Sequence, residues 1–165
     1  MRKKSAKKSG AKGAASARKA SSQLPKESHT QPVRAAIYAR SAAEPCSAAQ
    51  PWGDSDTLTP QINASKRAAA DNGLTIVEGQ VFIDSGVSGN SHPTSRPGLS
   101  ELLRRVSTTK PFNAVICDDA SRLGMNFRDV IELIQKLKEN GVEVHFAADD
   151  LTGEEWCRLA AERVA

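Results

Sequence analysis

Residues 112–147, FNAVICDDASRLGMNFRDVIELIQKLKENGVEVHFA, decide the fold. FNAVIC (112–117) is an apolar run of strand length, and VEVHFA (142–147) is a second. Between them FRDVIELIQKLKEN (127–140) carries apolar side chains at 127, 130, 131, 133, 134 and 137, a single stripe along a helix, and Gly141 stops it. A strand, a helix of more than ten residues and a second strand predict a crossover between two parallel strands.

The same alternation extends upstream. Residues 33–39 (VRAAIYA) read as a buried strand, 58–72 as a helix closed by Gly73, 74–83 as a strand ending at Asp84, and 99–107 as another helix. Two loops rich in Ser, Gly and Pro, 41–57 and 84–98, interrupt this pattern, and loops of that length in a compact domain are usually functional or disordered. The expectation is an α/β domain over residues 34–150, with a mostly parallel central sheet flanked by helices. Residues 151–165 (LTGEEWCRLAAERVA) read as a short amphipathic helix, with Thr152 and Glu155 at capping-box spacing and Trp156, Leu159, Ala160 and Val164 on one face, which either packs on its own sheet or serves as a partner helix.

The net charge of +4 hides two regions of opposite sign. Residues 1–34 hold ten Lys or Arg against one acid, Glu27, a charge of +9, so the remainder carries −5. With Leu24 and Val33 as its only large apolar residues, the segment 1–33 forms no core and is expected to be a disordered basic tail, one that neutralises phosphates or, in the plainer readings, a solubilising tail or an organellar transit peptide. No run of 18 apolar residues is present and no apolar segment follows Met1, so neither a membrane span nor export is expected. Cys46, Cys117 and Cys157 are odd in number and far apart, which argues against a disulfide framework or a metal site and for a reducing cytoplasm.

In open parallel sheets, ligands meet the loops beyond the carboxyl ends of the strands, here those after Arg40, Ile83 and Cys117. The first opens with Arg40 and Ser41, a planar fork of donors beside a possible nucleophile. The second carries Asp84, Ser88, Gly89 and Arg96. The third brings Ser121 and Arg122 just before the long helix, where the dipole favours negative charge. Three arginines from three loops at one end of a sheet suit a phosphodiester, since phosphoryl transfer is catalysed mainly by positioning and by neutralising oxygens. His92 is the one loop histidine of this region, and Asp118-Asp119 invites a Mg²⁺ reading. The plainer readings are an idle surface imidazole and charged residues ending a buried strand. A receiver-type site would also want a lysine after the next strand, where residues 148–151 (ADDL) offer none.

Four motifs in order then carry a resemblance: IYAR (37–40), with Gln61 in the helix that follows; DSGVSG (84–89); RPGL (96–99); and SRLG (121–124) before IELIQKLKENGVEVHF (131–146). Over residues 34–148 the chain resembles the catalytic domain of the serine recombinases, the resolvase and invertase family. The resemblance implies a resolvase-like three-layer fold. It implies site-specific cleavage and rejoining of double-stranded DNA through a phosphoserine link at the 5′ end, without metal or other cofactor, in an oligomer with like or related recombinase subunits at the nucleoid. By motif position Arg40, Arg96 and Arg122 would clamp the scissile phosphate, with Gln61, Asp84 and Ser88 in support.

Departures accompany the matches. The family motif Tyr-x-Arg-x-Ser puts the nucleophile two residues after the arginine, where this chain has Ala42. Ser41 is the hydroxyl taken as nucleophile; a strand continuing in register would turn it to the opposite face, and a strand one residue shorter would bring it back. Ser121 stands where the family usually has Asp, Met125 where it has a second Arg, and Asn113 where an acid is common. The chain ends at Ala165, before the family's long oligomerisation helix and any helix-turn-helix or zinc ribbon. The alternative expectation is therefore a truncated, catalytically impaired remnant that binds DNA or a full-length homologue without cutting.

Overall fold

The computed structural model describes residues 32–42 and 58–164. Residues 1–31 of the expected tail and 43–57 of the expected first loop lie outside the described residues. The elements are β1 (Val33–Ser41), α1 (Leu58–Asp71), β2 (Leu74–Ser85), a single 3₁₀ turn (Pro93–Ser95), α2 (Pro97–Thr108), β3 (Ala114–Cys117), α3 (Ala120–Leu123), α4 (Phe127–Glu139), β4 (Glu143–Phe146), β5 (Leu151–Thr152) and α5 (Gly153–Val164). The sheet runs β2-β1-β3-β4-β5, parallel except for β5 against β4.

Side-chain alternation divides the sheet into two faces. Ala36, Tyr38, Val115, Cys117, Val144 and Phe146 join α2 (Leu99, Leu102, Val106) and α4 (Val130, Leu133, Ile134, Leu137) in the main core. Ala35, Ala114 and Ile116 point the other way, onto α1. There α1 presents the buried stripe Gln61, Ser65, Ala69 at four-residue spacing, and the small Ser65 and Ala69 side chains let it lie close to the strands. With α1 on one face and α2 and α4 on the other, β1 is where the chain reverses its direction across the sheet. Such a reversal opens a crevice between the carboxyl ends of the two strands concerned, β1 and β3.

The 112–147 unit folds as its pattern dictates. Helix α4 ends in paired bonds from Gly141 N–H to the Lys138 carbonyl (2.8 Å) and from Val142 N–H to the Leu137 carbonyl (3.0 Å), with Gly141 at φ +75° where L side chains are strained. Helix α5 opens as expected: the Thr152 hydroxyl accepts from Glu155 N–H at 3.3 Å while the Glu155 carboxylate accepts from Thr152 N–H at 2.9 Å. Trp156 stacks on Phe127 and tilts against Phe146, and Ala160 is buried, so α5 packs on its own domain.

Among the departures from the sequence reading, three bear on the site. Strand β1 does not stop at residue 39 but runs to Ser41, paired with Ser85. Ser121 and Arg122 do not sit at the start of the long helix: they belong to α3, a one-turn helix of its own, and Asn126 caps α4 four residues later. Between Ala35 and Ile37 one residue of β1 faces four of β2, a bulge around Gly79 (φ +70°) that brings Asp84 opposite Arg40.

Candidate active site at the carboxyl end of the sheet

Strand β1 outruns its neighbour. Its last partner on β3 is Cys117, opposite Tyr38, so beyond that point the peptide groups of Arg40 facing β3 have no strand to meet. The side chain of Gln61, buried in the first turn of α1, takes that place. Arg40 N–H donates to Gln61 Oε1 (3.2 Å), and Gln61 Nε2 donates to the Arg40 carbonyl (3.1 Å). A carboxamide is a peptide group in miniature, so it satisfies both backbone groups as a strand would. On the other edge Val87 N–H donates to the Ser41 carbonyl (3.0 Å). Held on both sides, β1 stays extended through Ser41, and Ser41 turns to the α1 face while Arg40 turns to the α2 face.

On the α2 face Asp84 organises a buried network. Its carboxylate accepts from Gly98 N–H (2.7 Å), Leu99 N–H (3.1 Å) and the Tyr38 hydroxyl (2.7 Å). The first two belong to the opening turn of α2, whose own cap residue, Arg96, makes no side-chain cap bond, so a strand-end carboxylate caps the helix instead. Gly98 is required by this approach: a Cβ there would lie 2.6 Å from the Ile83 carbonyl oxygen. Burial raises the Tyr38 phenol well above its ordinary value, against the pull of Arg96, so it remains a neutral donor.

Arg40 and Arg96 converge, as the sequence implied, but on protein rather than on open space. Arg40 donates to the carbonyls of Val87 (2.7 Å), Ser121 (2.9 Å) and Arg122 (3.2 Å). Arg96 donates to the carbonyls of Leu123 and Arg122 and to the Tyr38 hydroxyl, and lies 3.9 Å from Asp84. Together the two guanidinium groups satisfy the last carbonyls of α3, which a one-turn helix leaves without partners. Burial, then Arg96, lowers the Arg40 guanidinium from its ordinary value, and Gly89 closes over it, since a Cβ there would meet Met125 and Arg40 at 2.5 and 2.7 Å.

Arg122 joins the two faces. Its carbonyl accepts from both buried arginines, while its side chain reaches round to the α1 face, where Ser41, Ala42, Pro60, Gln61, Ala64, Asp118 and Arg122 line a cleft of about 600 Å³. This is the crevice expected between β1 and β3. The Arg122 side chain is 29 % exposed, its Nε has no hydrogen-bond acceptor among the described residues, and it pairs with Asp118, with Nη2 3.6 Å from Oδ2. Pro60 and Gln61 bring the first turn of α1, free of acids, to the same wall.

The structure therefore gathers Ser41, Gln61 and Arg122 in one cleft and sets Arg40, Arg96 and Asp84 behind it. Arg96 borders a different hollow of about 670 Å³ between α2 and α4 that does not include Ser41. Ser88 is exposed and accepts from Asn90 N–H (3.3 Å) within its own loop. His92 caps the 3₁₀ turn, accepting from Thr94 N–H (3.3 Å). Asp119 caps α3 by accepting from Ser121 N–H (2.7 Å), and Asp118 pairs with Arg122. Burial raises the Cys117 thiol far above its ordinary value, which leaves it a core residue. Sequence reasoning gave Tyr38 no role beyond its place in the IYAR motif, and weighed Asp118 only as a metal ligand or a strand-end charge, not as the partner of Arg122. The available signal for the first was a phenol inside an otherwise apolar strand, whose hydroxyl must find a buried partner.

A family model, described as the resolvase N-terminal domain, matches residues 35–159. Among solved structures, the N-terminal catalytic domain of TP901-1 integrase superposes with a TM-score of 0.61 at 19% identity, covering 78% of this chain and 92% of that one. A resolvase family site-specific recombinase from Streptococcus pneumoniae gives 0.57 at 18%, covering 80% and 90%. The C-terminal catalytic domain of ISC1926 TnpA, an IS607-like serine recombinase, gives 0.54 at 26%, covering 70% of each chain. No curated protein matches the sequence.

Proposed function

The chain belongs to the resolvase N-terminal domain family, and on that premise we propose that it is a site-specific recombinase catalytic domain that breaks and rejoins double-stranded DNA through Ser41. The observation that carries this reading is the shared cleft of Ser41 and Arg122 at the β1–β3 crevice. A guanidinium with unused donors, the positive end of α1 and a hydroxyl at the end of a strand suit an anion with several oxygens. In the proposed step the Ser41 oxygen bonds to phosphorus and gives up its proton as the bond from phosphorus to O3′ breaks. The products are a phosphoserine link to the 5′ end and a free 3′ hydroxyl, and the reverse step rejoins the strand. Arg122 neutralises the phosphate, while Arg40 and Arg96 act from behind by fixing the α3 carbonyls. Strand exchange of this kind needs subunits of the same or a related recombinase, and the acidic body leaves the nonspecific hold on DNA at the nucleoid to the basic N-terminal segment.

A second reading, binding without cutting, is favoured by Arg40 spending its donors on three carbonyls and facing away from Ser41. One experiment separates the two. Incubation with nicked duplexes of randomised core sequence, followed by denaturation, is expected to trap a covalent protein–DNA species with the wild type and none with Ser41→Ala. An adduct that persists in Ser41→Ala, or no adduct in either protein, overturns Ser41 as nucleophile.

A further inference from the structure

We propose that Asp118 is a restraint on Arg122: its carboxylate holds the guanidinium as a counter-ion that the DNA phosphate must displace, and so sets how strongly the cleft takes a phosphodiester. This rests on the reading of the cleft as a phosphate site. Among the described residues lining it, Arg122 is the single cation and Asp118 the single anion. Their separation of 3.6 Å lies beyond hydrogen-bond reach for charged partners, and both side chains are partly exposed, at 29 % and 24 %. The pair is therefore held by charge attraction and is weak.

Arg122 has more to gain from a phosphate than it has from Asp118. Its Nε is buried without an acceptor among the described residues, and a bidentate phosphate offers two charge-assisted bonds where Asp118 makes none. Asp118 is also well placed to stay behind when the guanidinium moves. It follows β3 directly, and its carbonyl accepts from Ala148 N–H (2.8 Å), which anchors its backbone beside the cleft. Asp119 is no substitute, because its carboxylate is committed to the α3 cap. A carboxylate fixed near a bound phosphate repels it, so the cost of Asp118 falls on the occupied cleft.

The test follows the Gln61 side-chain amide resonance of the full-length protein during titration with a duplex oligonucleotide and, separately, with inorganic phosphate. The proteins are wild type, Asp118→Asn, Arg122→Gln and the double variant, each checked for an unchanged thermal midpoint. Asp118→Asn is expected to tighten duplex binding at this reporter by roughly two- to fivefold at low salt, less as salt rises, with the effect falling below about twofold in the Arg122→Gln background. If Arg122→Gln weakens binding while Asp118→Asn leaves it unchanged or weaker, the restraint is overturned and the phosphate reading stands. If Arg122→Gln changes nothing, or inorganic phosphate saturates the reporter below the duplex phosphate concentration, the DNA phosphate reading itself fails, and the restraint with it.

Discussion

The direction in which Ser41 points is set by Gln61 rather than by Ser41 itself. Replacing Gln61 with Leu leaves the Arg40 N–H and carbonyl buried without partners, at about 1–3 kcal/mol for each group. The expected outcome is a loss of stability of that order in urea unfolding, with hydrogen exchange at the Arg40 amide rising more than at Ile37; equal protection at both positions would mean that Gln61 does not hold the strand end. The sequence motifs brought Arg40, Ser41 and Arg122 to the carboxyl end of the sheet, because strand ends and loops follow from local pattern. They could not tell which of these side chains share a cleft. That depends on a carboxamide 21 positions away from Arg40 and on carbonyls 81 to 82 positions away, and no local window contains those partners.

Among the elements, α4 was legible to within a residue or two because its apolar stripe spans three turns and its end carries a glycine. Helix α3, the 3₁₀ turn and the two-residue β5 were not, since single turns and short edge strands have no period to detect. Helix α5 was read from its cap and its short apolar face, and the cap gives a prediction. Thr152→Ala should destabilise the domain by about 1 kcal/mol, measured by chemical unfolding at neutral pH. The Thr152 backbone N–H and then its hydroxyl hold the Glu155 carboxyl below the usual carboxylate range. A lowered carboxyl contributes stability above its unfolded value and loses it as pH falls through the folded one. The difference between wild type and Thr152→Ala should therefore shrink as the solution is acidified below the normal range for Glu. A difference constant with pH would show that the Thr152 hydroxyl contributes nothing to holding the Glu155 carboxylate, whose bond from the Thr152 backbone N–H the substitution leaves in place.

For the whole molecule, the reversal of chain direction at β1 places the cleft, and in the proposed reading the charge distribution decides what brings DNA to it. Residues 1–34 carry a net charge of +9, against −5 in the remainder. Deleting residues 1–31 should lower the slope of log affinity for DNA against log salt by several units, because each phosphate that the protein no longer neutralises takes about 0.9 from it. An unchanged slope would assign nonspecific binding to the folded body. Deleting that segment should leave chemistry at the cleft intact once DNA is saturating, since the proposed step draws on Ser41 and Arg122, which the deletion leaves in place. The most direct test of the central claim, that DNA is cut at the cleft between β1 and β3, is to digest a trapped protein–DNA adduct with nuclease and protease and locate the remaining nucleotide by mass spectrometry. The account predicts a 5′-linked phosphodeoxynucleotide on the Ser41 oxygen. A nucleotide on any other side chain, or none under conditions where Ala42→Ser does form an adduct, would contradict it.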